Sequence, residues 1–576
     1  MDSERHIRAF KHWPLIVGIG AVVWLGLIMS QLPVRPPKSV KDSALGQLKP
    51  APVSDVGYVG SDACGECHRE LLDSYRQHPM YGSTRAIGLA EFEELAMATS
   101  NGTLPKIKGR QRFYEVAFNG TVMTHREKMT DAHGELIFEQ SVPMDYVVGS
   151  GRRAKAFVYH RGSKLLMSPL NLYAKSSVWD VAPGYLPDDP RRFDRRVTDE
   201  CVMCHSGRAS RLSDASDLFE KPAFHEMSIG CESCHGPGEK HIDARRSDPN
   251  RSVAGDPIVN PARLDYERAE SICQQCHLQA AARVVRAGRS VFDFKPGMRF
   301  EDVWTVLDAG TGVDADGQIR SVNHVPQMQS SRCFIESDSK LGCTSCHDPH
   351  RVPAADERDG FYRTRCLICH DPESCSAPMI DREARADSCF VCHMPARESN
   401  NVSHVTQTDH RIVRKPLMQP DISIETPDQL TFFAGADQRL APLERDRALG
   451  VGAWIHLSKK NRRPDRSLAK FLDGVLRQSS DDAPLLAVLG SMAAEGRRST
   501  LAIDYYERAR RFPAVTEMSL HGLLGLYFEA QRWPEALDAA DRLLAIDPGH
   551  ARVHAVRADV LLALGKRDEA IVAAER

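Results

Sequence analysis

Cys231-Glu232-Ser233-Cys234-His235 reads C-x-x-C-H, and the reading of this pentapeptide decides the architecture of the chain. It occurs seven times: Cys64 to His68, Cys201 to His205, Cys231 to His235, Cys273 to His277, Cys343 to His347, Cys366 to His370 and Cys389 to His393. Two thiols separated by two residues can reach the two vinyl groups of one porphyrin and form thioethers. The histidine that follows is then placed beneath the iron as its proximal ligand. C-x-x-C pairs also build zinc ribbons and dithiol redox sites. Zinc does not require a histidine directly after every second cysteine, and redox motifs do not come seven to a chain.

The cofactor reading is therefore seven covalently attached haem c groups. The thioether residues are Cys64, Cys67, Cys201, Cys204, Cys231, Cys234, Cys273, Cys276, Cys343, Cys346, Cys366, Cys369, Cys389 and Cys392. The proximal iron ligands are His68, His205, His235, His277, His347, His370 and His393. Only Cys333 and Cys375 of the 16 cysteines stand outside the motifs. In an oxidising compartment they form either a disulfide or two separate buried thiols.

From Cys201 onward the motifs follow at intervals of 30, 42, 70, 23 and 23 residues, which leaves little protein per haem. Short helices and long loops around stacked porphyrins are expected over 57–416. A small β-rich insert is expected at 103–173. There Phe113–Phe118 leads through Asn119-Gly120 into Thr121–Thr124, a strong hairpin signal. Lys155–Tyr159, then His160–Ser163, then Lys164–Met167 reads as a second hairpin. The insert is either purely structural or a cover for a haem edge.

The N-terminus bears on the compartment. Residues 1–12 carry Arg5, Arg8 and Lys11, and Trp13–Leu32 is almost wholly apolar. As a helix such a run spans ~30 Å, enough to cross a bilayer core. Positive flanks stay in the cytoplasm, so 13–32 is read as an uncleaved single-pass anchor of the cytoplasmic membrane. A cleaved signal peptide is the alternative, although no good A-x-A site follows the apolar run. Residues 33–56 read as a tether, and the bulk of the chain as periplasmic. With 75 basic and 77 acidic residues there is no global basic field, so no nucleic-acid partner is implied.

The C-terminal part changes character. Ala502, Ala536 and Ala570 recur at 34 residues, as do Gly490, Leu524 and Ala558. This is the period of tetratricopeptide repeats, whose helix pairs stack into a solenoid with a concave face able to dock a protein partner. After a linker at 417–445, repeats are expected over 446–576, an imperfect unit starting near Leu449 and the last one incomplete. The fold class is accordingly mainly α: a multihaem cytochrome c domain followed by an α-solenoid.

Further segments carry a family resemblance. They are Tyr58-Val59-Gly60-Ser61 with His78, Ile229 to Gly238 with His241, Leu341 to His350, and Cys389 to Pro395 with Thr408-Asp409-His410-Arg411. Over most of 58–415 the chain resembles the multihaem c-type cytochromes related to the tetrahaem electron carriers of ammonia oxidation and, more distantly, hydroxylamine oxidoreductase. It is most similar to members with C-terminal tetratricopeptide repeats. The resemblance implies electron transfer through closely packed, mostly bis-histidine haems. It departs from pentahaem nitrite reductase, whose catalytic haem has lysine in place of the motif histidine; all seven motifs here end in histidine.

By match to these segments, His78, His241, His324 and His350 lead the candidate distal iron ligands, followed by His225, His404 and His410, with His160 behind them. His125 and His133 read as surface histidines in the β-rich insert, and Met394 as a turn or packing residue. The functional expectation is a membrane-anchored electron carrier fed by a quinol-linked donor or a soluble cytochrome. Two alternatives stand beside it: a haem oxidoreductase acting on a small nitrogen or sulfur compound at one five-coordinate haem, and a repeat-based docking scaffold. No catalytic residue is assigned.

Overall fold

The structure, a computed structural model, describes residues 57–575 apart from 89–90, 92, 96–111, 120–121, 176, 186–190, 213–216, 310–322, 339, 400–401, 415–429, 480 and 513–514. The expected anchor at Trp13–Leu32 and the tether at 33–56 lie outside these. Among the described residues no helix is long and apolar enough to cross a membrane.

The described residues between the first two motifs, after the helix Arg69–Tyr75, are mostly sheet. Strands β1 (Thr84–Ala86), β2 (Arg112–Asn119), β3 (Val122–Thr130), β4 (Leu136–Pro143), β5 (Tyr146–Val148), β6 (Ala154–Arg161), β7 (Lys164–Tyr173), β8 (Val178–Val181) and β9 (Arg195–Arg196) follow in order. β2, β3 and β4 form an antiparallel meander in which Asn119 pairs with Val122, and β2 alternates inward and outward as a half-buried strand must. The other six strands form one sheet of order β1-β5-β6-β7-β8, with β9 on β7. Both of its faces are covered. Phe157, Leu166, Leu170 and Trp179 pack on one side. Tyr146, Val158, Leu165 and Phe224 pack on the other. β7 is therefore buried at nine of its ten positions.

Pairing continues past residue 173, into β10 (Arg208–Arg211) with β11 (Phe219–Glu226) and β12 (Ala282–Val285) with β13 (Trp304–Asp308). The expectation of a mainly α chain thus holds in part: the C-terminal region is helical, while the haem-motif region mixes helix with substantial sheet. Motif density drew the reading toward short helices, whereas the β-branched and aromatic runs outside the motifs pair over long range.

The motifs themselves sit on short helices or their ends: Ser61–Cys64, Asp199–His205, Glu232–His235, Tyr266–His277, Cys343–Cys346, Arg358–Cys366 and Cys389–His393. Tyr266–His277 is started by Asp265, whose side chain accepts from the Arg268 N–H.

The C-terminal region is four helix pairs: α1 (Pro442–Lys459) with α2 (Arg466–Leu476), α3 (Ala483–Glu495) with α4 (Ser499–Ala509), α5 (Thr516–Glu529) with α6 (Trp533–Ile546), and α7 (Ala551–Ala563) with α8 (Arg567–Ala574). The Tyr506 ring lies between Gly490 and Gly522, where a Cβ would collide with it. Second helices bury one stripe, Ala502, Tyr505, Tyr506 and Ala509 on α4 and Ala536, Ala539, Ala540 and Leu543 on α6. First helices bury far more: Leu485–Ala493 on α3 and Thr516–Leu524 on α5 are unbroken. Such all-round burial means a neighbour on both sides.

The second neighbour is the haem-motif region. Ala282, Val284 and Leu307 belong to the same hydrophobic core as the repeats. A Cβ on Gly452 would meet the Leu307 side chain, and Arg447 and Lys459 donate to the carbonyls of Val285 (2.8 Å) and Ala281 (3.1 Å). The first-helix side of the array, expected to stand open for a partner, is covered by the chain itself.

Candidate haem-binding core

The motifs are held together by carboxylates. Glu232, inside the third motif, accepts from the N–H groups of Val59, Gly60 and Gly238. Glu226 accepts from the Ser61 N–H (3.0 Å) and hydroxyl (2.6 Å), which seats the first motif helix against the third. Glu270 accepts from the Cys343 N–H at 3.0 Å, joining the fourth to the fifth.

Thiols of different motifs consequently meet. Cys64 interacts with Cys231, Cys204 with Cys276, Cys273 with Cys343, and Cys366 with Cys389. The Gln275 amide donates to the Ser233 carbonyl at 3.3 Å, linking the third motif to the fourth. Cys346 and Cys369 are near enough to influence each other, so the fifth reaches the sixth. All seven motifs are thereby connected: the first, third, fourth, fifth, sixth and seventh in line, with the second joined to the fourth. Cys333 and Cys375 are unbridged; Cys333 neighbours Cys346, Cys366 and Cys369, and Cys375 neighbours Arg382.

The first five motifs open into one connected cavity of about 3450 Å³. An ordinary small-molecule site is ~300–1,000 Å³, so this space suits several large ligands. His78, His225, His241, His324, His350 and His410 line it too. The sixth and seventh motifs lie outside it, and Cys369 and His370 are exposed.

Three pairs of histidine rings have near-parallel planes and similar spacing between centroids: His68 with His241 at 6.3 Å and 17°, His235 with His350 at 6.1 Å and 15°, and His347 with His410 at 6.3 Å and 30°. A metal ~2.0–2.1 Å from an imidazole nitrogen on each side sets ring centroids roughly 6.2 Å apart. Each pair joins one motif histidine to one candidate distal histidine. His324 instead lies edge-on to both His277 (5.4 Å, 70°) and His410 (4.8 Å, 83°).

The outer nitrogens of several of these rings are anchored. Nδ1 of His235, His393 and His410 donates to the carbonyls of Val259 (2.8 Å), Val413 (2.8 Å) and Thr408 (2.9 Å). Nδ1 of His241 meets Asp256 at 2.6 Å. This fixes the tautomer that leaves the Nε2 lone pair for a metal, as second-shell partners of metal-binding histidines do. Desolvation by the surrounding protein lowers the pKa of His205, His277, His324 and His347, and of His410 to about 4, which favours the neutral imidazole, the ligating form.

His78 differs. Burial lowers it to about 4, but its Nδ1 accepts from the Met80 N–H (3.2 Å), which puts its proton on Nε2. His225 is exposed on β11 at the cavity wall. His404 lies outside the cavity, over the Tyr173 ring, with Nε2 on Asp180 at 2.7 Å. His160 is committed to the sheet, its Nε2 on the Glu220 carbonyl at 3.0 Å. His133 is exposed. His125, expected at the surface, is instead fully buried against Phe157 and Trp179 with Nδ1 2.6 Å from the Ser168 hydroxyl. Strand alternation turns it inward.

Sequence reasoning missed the cationic lining. Arg283 stacks on Trp304 at 3.8 Å and keeps two buried guanidinium nitrogens unsatisfied; Arg211 keeps one. Both line the cavity, where orphaned donors beside apolar walls fit carboxylate-bearing porphyrins. Arg447 and Trp454 of the repeats line it as well. No local pattern marks these residues, because only tertiary packing turns them toward the cavity.

No curated protein matches this chain. Several MamA crystal structures are similar to part of it. One is 20% identical, covering 23% of this chain and 70% of its own, with a TM-score of 0.21. Another is 21% identical, covering 23% and 75%, with a TM-score of 0.21. Residues 189–236, which include the second and third motifs, match the family model described as Cytochrome c554 and c-prime. That match supports a c-type cytochrome working in electron transfer with covalently bound haem c.

Proposed function

We propose that this chain is a heptahaem c-type cytochrome, tethered to the cytoplasmic membrane by Trp13–Leu32, that conducts electrons along its connected motifs through mainly bis-histidine haems. The observation that carries this reading is the trio of near-parallel histidine pairs whose centroids stand at the spacing one bridging iron requires. Haem iron held by two neutral imidazoles supplies reversible one-electron transfer without an open position for substrate. His68 with His241, His235 with His350, and His347 with His410 would hold haem iron. Asp256 and the carbonyls of Val259 and Thr408 orient the rings, and Arg211 and Arg283 would receive carboxylates of the bound groups.

Cys67 of the first motif and Cys369 of the sixth are the exposed motif cysteines. These are the places where a quinol-linked donor and a soluble cytochrome approach closely enough to exchange electrons. The repeats offer a protein partner only the surface that the haem-motif region leaves uncovered.

The test combines mass and spectroscopy. Acid-acetone-treated protein should retain the mass of seven haems, and its EPR spectrum should be dominated by low-spin signals. Retention of four or fewer haems refutes the heptahaem reading. A high-spin, ligand-accepting haem that turns over hydroxylamine, nitrite or tetrathionate refutes the conduit in favour of an enzyme.

A further inference from the structure

Arg161 and Lys164 flank the two-residue tip, Gly162-Ser163, of the β6–β7 hairpin. The tip enters the repeat array on its first-helix side. Arg161 donates to both carboxylate oxygens of Asp547 (3.1 and 3.0 Å), in the loop between α6 and α7. Lys164 pairs with Glu517 at the start of α5 and lies 3.3 Å from Asp547. Arg196 of β9 also pairs with Glu517. The side chains of Lys164, Arg196, Glu517 and Asp547 are each at most 3% exposed.

Shape agrees with charge. Gly162 has a φ of +60°, and a Cβ there would press on Pro548 at 3.2 Å. A Cβ on Gly549 would come within 2.7 Å of the Arg161 side chain. Two glycines, one from each partner, permit this approach. His521 faces the same cluster, 3.4 Å from Glu517.

We infer that the first-helix face of the repeats is a receptor for a basic hairpin, and that its occupant is the chain's own Arg161-Gly162-Ser163-Lys164. The array is an intramolecular clamp on the β-sheet that backs the haem-motif region. Buried acids from the repeats meet bases from the sheet; Arg161 and Arg196 keep Asp194 and Asp217 as further partners, so Glu517 and Asp547 are the charges that would be left buried without the hairpin. A foreign basic peptide reaches this face only by displacing the hairpin. The inference holds whether or not the neighbouring cavity carries haem.

The test is a double-mutant cycle in the full-length holoprotein, read by hydrogen exchange at β6–β7 and at α7. Arg161→Ala and Asp547→Ala should each accelerate exchange about tenfold in both elements, with the double variant no faster than either single. Asp547→Asn, which keeps the shape and removes the charge, gives the same reading should the alanine variant not accumulate. Effects that multiply, or that stay confined to the mutated element, overturn the inference.

Discussion

The ring centroids of His235 and His350 lie 6.1 Å apart with their planes at 15°, and Nδ1 of His235 donates to the Val259 carbonyl. One ring follows a C-x-x-C pair and the other follows a different motif, so the pair joins two motifs.

Replacing His350 by alanine should convert one haem from low to high spin and raise its potential, because losing a strong distal ligand destabilises ferric iron more than ferrous. Covalent attachment should persist by mass. His404→Ala should leave the EPR spectrum unchanged, since its ring is held by Asp180 and Tyr173 away from the cavity.

Gly522→Ala should destabilise the repeats. Helix propensity favours alanine by ~1 kcal/mol, but the new methyl collides with the Tyr506 ring. Overpacking costs ~1–3 kcal/mol, so the net change is a lowered Tm, measurable by calorimetry.

Acid should unfold the β-region partly through His125. Burial lowers its pKa to about 3. Above pH ~6.5 neither state binds the proton; between there and pH 3 the unfolded state takes up a proton that the folded state refuses. Stability therefore falls as pH drops, by about 1.4 kcal/mol per unit. His125→Gln should flatten the pH dependence of the denaturation midpoint over that window.

Deleting residues 1–32 and supplying a cleavable export signal should release a soluble holoprotein from the membrane fraction. A native protein that is already soluble and begins after residue 32 would refute the anchor.

Removing residues 441–576 should disturb the haem-motif region. Arg447, Val451, Trp454 and Val488 form part of the cavity wall. The truncated protein should show broadened low-spin signals and faster proteolysis between residues 281 and 308. An unaltered spectrum would show that the repeats are dispensable to the core.

What could be read from the sequence follows from what is local. Thioether chemistry demands contiguous residues, so Cys231 to His235 announces itself. The spacing of Ala502, Ala536 and Ala570 is a repeat of one helix pair, and it marks positions that the structure buries. The hairpins around Asn119 and Gly162 are local too, although β6 runs two residues further than its pattern suggests, to Arg161. The pairing of His68 and His241, the inward turn of His125 and the lining role of Arg283 depend on contacts between distant segments. The covered face of α3 and α5 was also invisible, because an apolar first helix reads alike whether its second neighbour is another chain or its own.

The meeting of thiols from different motifs bears on how such a chain matures. Cys64 beside Cys231, Cys204 beside Cys276, Cys273 beside Cys343 and Cys366 beside Cys389 are four ready-made wrong couplings. In an oxidising compartment a neighbouring thiol pair closes into a disulfide, and each such closure would remove one thiol from each of two motifs. On the heptahaem reading each misstep would disable two attachment sites at once, and assembly outside the cytoplasm would need thioether formation to outpace oxidation or a reductant to guard the thiols.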